Sequence, residues 1–297
     1  MLTCNCPPHP VTGVCMKCAS GETLRSLSSY DPTDEGKLLR VSKSSFMGYL
    51  YCPRQYFMDR VLLKDIKKPA TTAMTRGTEV HDALDDFYDR WNGEQTLYPM
   101  FDQLGNVYRN MAALEQQRLD AWGAEYFAPY EHEELRVYYH EEYDIVIVGK
   151  IDGVLIAPDE EFAILELKTG TTNDNKITKT RKELAFYYMV LKDMDDIEAT
   201  RFVYVLPDAD NHAFVNKLMQ QRNKTVWVGD DGGMTVIEKV NQRTLNSFRV
   251  SFEKFLQQIQ NEEWAMNWDD WRCPQWCSYS MACEEEITGI SYAEGFA

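Results

Sequence analysis

A carboxylate and an ammonium stand two residues apart in an aliphatic run, ILELKTG at 164–170. The period of two along a strand puts Glu166 and Lys168 on one face and Leu165 and Leu167 on the other. Burying two charges is costly unless they pair or hold a metal. The stretch therefore predicts either a catalytic strand or a salt bridge between alternate strand residues.

A second carboxylate, Asp152, precedes this stretch in GKIDGVLIA. If 151–156 and 162–168 form a hairpin through the PDEE turn, Asp152 lies opposite Glu166 and Lys168. Carboxylate oxygens suit Mg²⁺ or Mn²⁺, with water and substrate phosphate filling the other positions. A nearby lysine can orient the attacking water or stabilise charge on the phosphorane. The pattern indicates metal-assisted phosphodiester hydrolysis.

Two predicted helices carry further candidates. His81, in RGTEVHDALDDF, falls on the apolar edge of a helix predicted over 75–91, where a lone histidine is more often a core group than a ligand. Glu183 and Tyr187, in KELAFYYMVL, are four residues apart and therefore share one helix face. A tyrosine on such an apolar face is usually part of the core.

The N-terminal segment contains four cysteines in the spacing CxC-x8-CxxC: Cys4, Cys6, Cys15 and Cys18. A segment this short cannot build a hydrophobic core, so a metal would have to organise it, and four-cysteine zinc is the natural candidate. His9 can replace one of the thiolates as a ligand. The alternative is a flexible tail whose thiols do nothing.

The other cysteines are one distant residue and three close ones: Cys52, Cys273, Cys277 and Cys283. Four thiolates are what a 4Fe–4S cluster needs, and such a cluster would join the first globular helix to the C-terminal end. Tetrahedral zinc and unligated buried thiols are the alternatives.

Composition places the chain among globular proteins, with 44% hydrophobic residues. The net charge of −16 argues against a simple nucleic-acid binder, because phosphate neutralisation supplies most non-specific affinity. Basic residues are nevertheless concentrated between Gly36 and Arg76, and again over 176–182. Ordinary solvated helix faces account for these stretches equally well.

No run of eighteen apolar residues occurs, and the N-terminus lacks the features of a secretory signal. We therefore expect a cytoplasmic protein without a membrane segment. The sequence also has no GxxxxGK[ST] phosphate loop, so any ATP-driven unwinding must come from a partner.

Changes of hydrophobic period predict two regions, a cysteine-rich module with its linker over 1–40 and a globular domain over 41–297. Helices are predicted from Ser42 with an interruption at Pro53, and over about 75–91, 100–127, 178–194 and 242–260. The runs LRVYYH, YDIVIVGKID, GVLIA and FAILELK predict an antiparallel meander. RFVYVLP is another strand, and TVWVG with MTVIEKV predicts a hairpin closed by DDGG. The pattern fits an α/β or α+β domain with a central mixed sheet flanked by helices.

The order CPRQYF, RGTEVH, GKIDGV, ELKTG and ELAFYY, followed by a cysteine cluster, resembles the RecB-type branch of the PD-(D/E)XK nuclease superfamily over residues 42–285. It is most similar to the fourth CRISPR-associated protein family, which includes stand-alone exonucleases carried by phages. The resemblance implies a restriction-endonuclease-like core and a Mg²⁺- or Mn²⁺-dependent DNA exonuclease. Such an enzyme would act on single strands or duplex ends, frequently from 5′ to 3′, in recombination, repair or CRISPR-related processing.

The resemblance also implies roles for individual residues. His81, Asp152 and Glu166 would be metal ligands, the Leu167 carbonyl would complete the shell, and Lys168 would be the catalytic lysine. The cysteines of the one-plus-three set would hold a single 4Fe–4S cluster, as in the families that this chain resembles.

Tyr187 matches the tyrosine of the family's QxxxY motif, which lies beside the DNA path. Glu183 replaces the glutamine of that motif, and a carboxylate repels phosphate unless it binds a metal or is protonated. Arg181 and Lys182 can offset that charge, and Arg54 lies in the first basic stretch; all three are predicted DNA contacts.

The expected partners are DNA and proteins of recombination or CRISPR adaptation, and homo-oligomeric rings occur among relatives. The alternative is a nucleic-acid-binding adaptor, or a nuclease subunit that depends on a partner and has weak or no cleavage of its own.

Overall fold

A computed structural model describes most of the chain. The described residues are 39–62, 71–93, 105–143, 145–170, 172–209, 212–230 and 232–289. The predicted zinc knuckle, with its four cysteines and His9, lies outside them.

The described residues fold as two compact units. The first contains the described parts of Met1–Thr75, Tyr139–Ile147 and Phe252–Ala297. The second contains those of Arg76–Tyr138 and Val148–Ser251.

Helices and strands are mixed along the described chain. The helices are α1 (Lys43–Tyr51), α2 (Pro53–Phe57), α3 (Thr72–Asp89), α4 (Asn106–Trp122), α5 (Asp174–Asp195), α6 (His212–Met219), α7 (Gln242–Gln260), α8 (Arg272–Trp276) and α9 (Ser280–Thr288), with a π-helical turn at Met58–Leu62 and 3₁₀ turns at Ala124–Tyr126 and Glu141–Tyr143. The strands are β1 (Leu39–Ser42), β2 (Glu131–His140), β3 (Ile145–Ile156), β4 (Phe162–Leu167), β5 (Ala199–Leu206), β6 (Lys224–Val228) and β7 (Met234–Lys239).

The start of the first unit follows the prediction. Ser42 and Ser45 form a capping box at α1, with the Ser42 N–H donating to Ser45 Oγ at 2.7 Å and the Ser45 N–H donating to Ser42 Oγ at 3.3 Å. Pro53 stands at the start of α2, so the chain forms two helices instead of one. Strand β1 pairs with β3, whose first residues, 145–147, lie in the same unit.

An aromatic cluster packs α1 and α2 against the end of α7 in the first unit. Phe255 is its centre, with ring centroids 4.6 Å from Tyr49, 5.1 Å from Tyr56 and 5.3 Å from Phe46. Tilted and edge-to-face pairs of this kind add about 0.5–1.5 kcal/mol each beyond their buried area. These rings therefore hold the loop between α1 and α2 in place.

The second unit is built on a mixed sheet with the order β3-β4-β5-β7-β6, and β2 also pairs with β3. Strand β4 is antiparallel to β3 and parallel to β5. A parallel pair needs a crossover, which α5 supplies. Helices α3 and α4 pack on Leu165, Leu167, Val203 and Val205. The observed mixed sheet with flanking helices confirms the predicted fold class.

Several element boundaries differ from the prediction. Residues 145–156, taken from both YDIVIVGKID and GVLIA, form one strand, β3, because Gly153 keeps a strand backbone and pairs with Leu165. Helix α4 is shorter than predicted, since Gly105 and Gly123 flank it with φ of 106° and 84°. The hairpin of β6 and β7 and the extent of α7 match the prediction.

Among the described helices, none combines the length and the apolar character needed to cross a membrane.

Candidate active site

The hairpin of β3 and β4 fixes the first carboxylate. Gly153 pairs with Leu165, and this register puts Asp152 opposite Glu166, as the sequence predicts. The Leu167 N–H donates to Asp152 Oδ2 at 2.8 Å, so a backbone amide of β4 orients the carboxylate. The other oxygen of Asp152, Oδ1, faces His81 on α3.

Helix α3 brings His81 to that second oxygen. Val80, Leu84 and Phe87 anchor the helix in the core, which leaves the side chain of His81 25% exposed at its edge. Nδ1 of His81 lies 3.5 Å from Oδ1 of Asp152. Helix and hairpin thus bring together two residues that are far apart in sequence and that the sequence predicts as metal ligands.

Glu133 on β2 joins this pair, although the sequence analysis did not identify it. Its Oε1 lies 3.3 Å from Nδ1 of His81, and its other oxygen pairs with Lys150. The surrounding EHEEL contains three carboxylates, and nothing in that pattern distinguishes the one that faces the site. A φ of 49° at Glu133 marks a local departure from regular strand geometry.

The three side chains suit a divalent cation. One ligand atom from each of His81, Glu133 and Asp152 lies within 4.8 Å of the other two. Ligands at about 2.0–2.1 Å from an octahedral ion stand roughly 3 Å apart, so only a small adjustment is needed. The two carboxylates suit Mn²⁺ or Mg²⁺, and the imidazole nitrogen suits a transition ion such as Mn²⁺ better than Mg²⁺.

Glu166 lies in the adjacent part of β4, and Lys168 follows the last residue of that strand. Glu166 is fully buried and forms an ion pair with Lys168 through Oε1. Nζ of Lys168 also lies 2.9 Å from Oε2 of Glu183 on α5. The residue that replaces the family's glutamine therefore contacts the predicted catalytic lysine.

Electrostatics at the site favour protonated His81 and protonated Tyr187. Burial by itself lowers the pKa of His81, but the hydrogen bond to Glu133 and the charges of Asp152 and Glu166 raise the pKa above its ordinary value. Burial first, and then the charges of Glu166 and Asp152, raise the pKa of Tyr187 well above 10.0. Tyr187 therefore keeps its proton and can donate a hydrogen bond.

The predicted DNA contacts differ in their surroundings. Arg181 donates to Glu238 from Nε at 2.6 Å and from Nη2 at 2.9 Å. Lys182, its neighbour, is exposed. Arg54 pairs with Glu286 and stacks on Phe57 at 5.4 Å in the first unit. For all three residues, contact with DNA stays a prediction. Lys182 has the most accessible charge of the three.

The first unit gathers the one-plus-three set of cysteines around one cavity. The cysteines that line it are Cys52, Cys273, Cys277 and Cys283. Cys52 lies between α1 and α2, and the aromatic cluster fixes that loop. Burial, followed by the neighbouring thiols, raises the pKa of Cys283 to about 12.

The family model of the PD-(D/E)XK nuclease superfamily matches residues 40–284. The chain therefore belongs to the PD-(D/E)XK nuclease superfamily, whose members are nucleases that use Mg²⁺ or Mn²⁺.

Among solved structures, the crystal structure of SSO0001 is similar to this chain, with 12% sequence identity and a TM-score of 0.38 over 92% of this chain and 97% of that chain. No curated protein matches the sequence.

Proposed function

We propose that the chain is a metal-dependent deoxyribonuclease that degrades DNA from its ends, on single strands or duplex ends, in the 5′ to 3′ direction. The supporting observation is the meeting of Asp152 with His81 at 3.5 Å. This contact between Asp152 and His81 lies at the end of the hairpin that carries Glu166 and Lys168. End preference and polarity come from the resemblance of the motifs to the RecB-type exonucleases.

Each residue of the site has a role in this proposal. His81, Asp152 and Glu166, with the Leu167 carbonyl, would hold a divalent cation, which when bound polarises the scissile phosphate and lowers the pKa of an attacking water. Lys168 stabilises the negative charge that develops on the phosphate.

Glu166 and Glu183 keep the lysine side chain directed at the site. Protonated Tyr187 donates a hydrogen bond beside the DNA path. Exposed Lys179 and Lys182 attract the backbone of the substrate.

Cleavage of labelled DNA tests this proposal. Linear single strands labelled at the 5′ or the 3′ end, and a circular single strand, are incubated with Mn²⁺ or Mg²⁺. Wild type should release mononucleotides or short fragments from the 5′ end and leave the circle intact. Lys168→Ala should lose this activity, whereas Lys254→Ala, at an exposed lysine of α7, should keep it.

Cleavage of the circular strand would show that the enzyme is an endonuclease and not an exonuclease. Equal cleavage by wild type and Lys168→Ala would refute the assignment of the lysine.

One observation favours a second candidate, a DNA-binding protein or partner-dependent subunit with little cleavage of its own. Lys168 is paired with two carboxylates, and Glu183 adds negative charge where phosphate would bind. Under this alternative the wild type binds single-stranded DNA in a gel-shift assay and does not cut it with either metal. Cleavage that appears only after a recombination protein is added would identify a subunit.

The cavity lined by the four cysteines supports a 4Fe–4S cluster in the first unit. The Asp269 N–H donates to Cys273 Sγ at 3.3 Å, a type of contact that tunes cluster thiolates. Zinc held by the same four thiolates is the alternative, which metal analysis distinguishes.

Anaerobic purification tests the cluster. We expect a brown protein that absorbs near roughly 400 nm and contains about four iron atoms per chain. Cys277→Ala should lose colour and iron, while Ser278→Ala should retain both. Colourless wild type that contains only zinc would overturn the cluster.

The remaining features concern organisation and biological setting. We propose a zinc-binding module over 1–40 and a nuclease domain over 41–297 that the cluster closes. From the resemblance of its motifs alone, we further propose a member of the fourth CRISPR-associated protein family, of the stand-alone phage type, that works with recombination or CRISPR adaptation proteins. Zinc analysis of Cys15→Ala with Cys18→Ala tests the module, because loss of the metal is expected.

A further inference from the structure

We propose that Glu133 is a further ligand of the divalent cation and belongs to the same site as His81 and Asp152. This inference rests on the proposed metal-dependent function and deepens it. The sequence motifs assign no role to Glu133, which lies on β2, outside the hairpin and helix that carry the other residues.

Distances around one ring nitrogen carry the proposal. Nδ1 of His81 is 3.3 Å from Oε1 of Glu133 and 3.5 Å from Oδ1 of Asp152. The three atoms thus converge on one point, at separations close to the roughly 3 Å between neighbouring ligands of an octahedral ion. Convergence of this kind is what a cation site requires.

The charges of the cluster also favour a cation. The side chains of Glu133 and Asp152 are only 14% and 10% exposed, and both direct an oxygen at the same imidazole. Two poorly solvated carboxylates that approach each other repel, so a positive charge between them, either the His81 imidazolium or a bound cation, stabilises the pair. Lys150 neutralises the other oxygen of Glu133, which leaves Oε1 to face His81.

The alternative is that Glu133 only orients His81. Ligating histidines usually donate their second ring N–H to a carboxylate, and Glu133 could be that acceptor. However, Asp152 approaches the same nitrogen, and Asp152 is itself a predicted ligand. A cation held by Nδ1 of His81 and Oδ1 of Asp152 would therefore lie within reach of Oε1 of Glu133 as well.

The donor set predicts a metal preference. Imidazole nitrogen is a poor ligand for Mg²⁺ and a better one for transition ions, while the two carboxylates suit either. The site should therefore bind Mn²⁺ more tightly than Mg²⁺.

Substitution of Glu133 by glutamine separates the two roles. The glutamine side-chain oxygen can still accept a hydrogen bond from His81 but loses the charge that a cation ligand supplies. We expect Glu133→Gln to weaken Mn²⁺ binding about tenfold or more, because the charge of the ligands sets affinity in such sites. Binding is measured from the free Mn²⁺ signal in electron paramagnetic resonance, without DNA.

The neighbouring residue offers a matched control. Glu134 has the same charge, is exposed, and stands on the same strand. Glu134→Gln should change Mn²⁺ affinity less than about twofold, since an exposed charge is strongly screened. Melting temperatures without metal show whether each variant folds, and Glu133→Asp, which restores the charge, should recover part of the affinity.

Each outcome decides the proposal. Unchanged Mn²⁺ affinity in Glu133→Gln would overturn it, and so would a loss confined to Glu133→Ala, since that pattern belongs to an orienting residue. If wild type binds no Mn²⁺, the site itself is wrong. If wild type binds Mn²⁺ through Glu133 but cuts no DNA, the ligand assignment stands and the nuclease proposal fails.

Discussion

Nζ of Lys168, the residue directly after β4, lies 2.9 Å from Oε2 of Glu183 on α5. The same ammonium also pairs with Glu166. In the family that the motifs resemble, the position of Glu183 is a glutamine. The extra carboxylate in this chain therefore restrains the lysine that the proposal assigns to catalysis.

Glu183→Gln tests that restraint. The substitution keeps the shape of the side chain and removes a negative charge close to the expected phosphate path. We expect DNA binding without metal to tighten about three- to tenfold, because one repulsion worth roughly 1 kcal/mol disappears. Fluorescence anisotropy of a labelled single strand measures the change. Weaker binding in the variant would contradict the restraint.

Glu166→Gln should abolish cleavage without unfolding the protein. Glu166 is fully buried, and glutamine fills the same volume while removing a ligand charge and the partner of Lys168. We expect single-turnover cleavage to fall about 100-fold or more, as for other groups that stabilise transition-state charge. Glu161→Gln, at an exposed position of the same hairpin, is the control and should cleave normally.

Acid should weaken the second unit through Glu238. Burial raises the pKa of this carboxyl, but hydrogen bonds from Arg181, Lys224 and Tyr204 outweigh burial and lower the pKa from 4.5 to about 2. The ionised form is thus favoured by folding. Its contribution is complete above about pH 5 and is lost as the pH falls towards 2.

Chemical denaturation of Glu238→Gln measures this contribution. At pH 7 the variant should lose on the order of 3 kcal/mol of unfolding free energy, because Arg181 and Lys224 lose their common partner. The difference from wild type should shrink as the pH falls from 5 to 2. A difference that stays constant over this range would contradict the shifted pKa.

Arg118→Leu should destabilise the protein strongly. Arg118 is fully buried and donates to Glu115 at 2.6 Å, to the Phe127 carbonyl at 2.7 Å and to the Tyr88 hydroxyl at 3.1 Å. Removing it leaves a buried carboxylate without its cation, which costs about 3–5 kcal/mol. Urea denaturation gives the value, and Arg109→Leu, at an exposed position of the same helix, should cost far less.

Gly233→Ala should be destabilising, and Gly48→Ala should not. Gly233 has a φ of 79°, and an added Cβ would lie 3.1 Å from Pro207 and 3.2 Å from Leu114. Strain in this region costs of order 1–3 kcal/mol. Gly48 lies within α1 with nothing within 4 Å of an added Cβ, so alanine there should add about 0.5–1 kcal/mol. Thermal unfolding measures both effects: the melting temperature should fall in Gly233→Ala and rise in Gly48→Ala.

Residues close in sequence determined the central strand and its hairpin. The alternation in ILELKTG predicts that Leu165 and Leu167 face the core, and both are fully buried there. The PDEE turn is short enough to force antiparallel pairing, so the approach of Asp152 to Glu166 was predictable. Such features follow from strand period and turn length alone.

Tertiary structure decided which charges act together. Glu133 has the same local pattern as its exposed neighbour Glu134, and only the path of β2 beside β3 directs it at His81. Arg181 and Lys182 are adjacent basic residues, yet one pairs with Glu238 and the other is exposed. The spacing of residues in the sequence determines on which face of a helix or strand a side chain lies. Long-range packing determines which charged side chain it meets there.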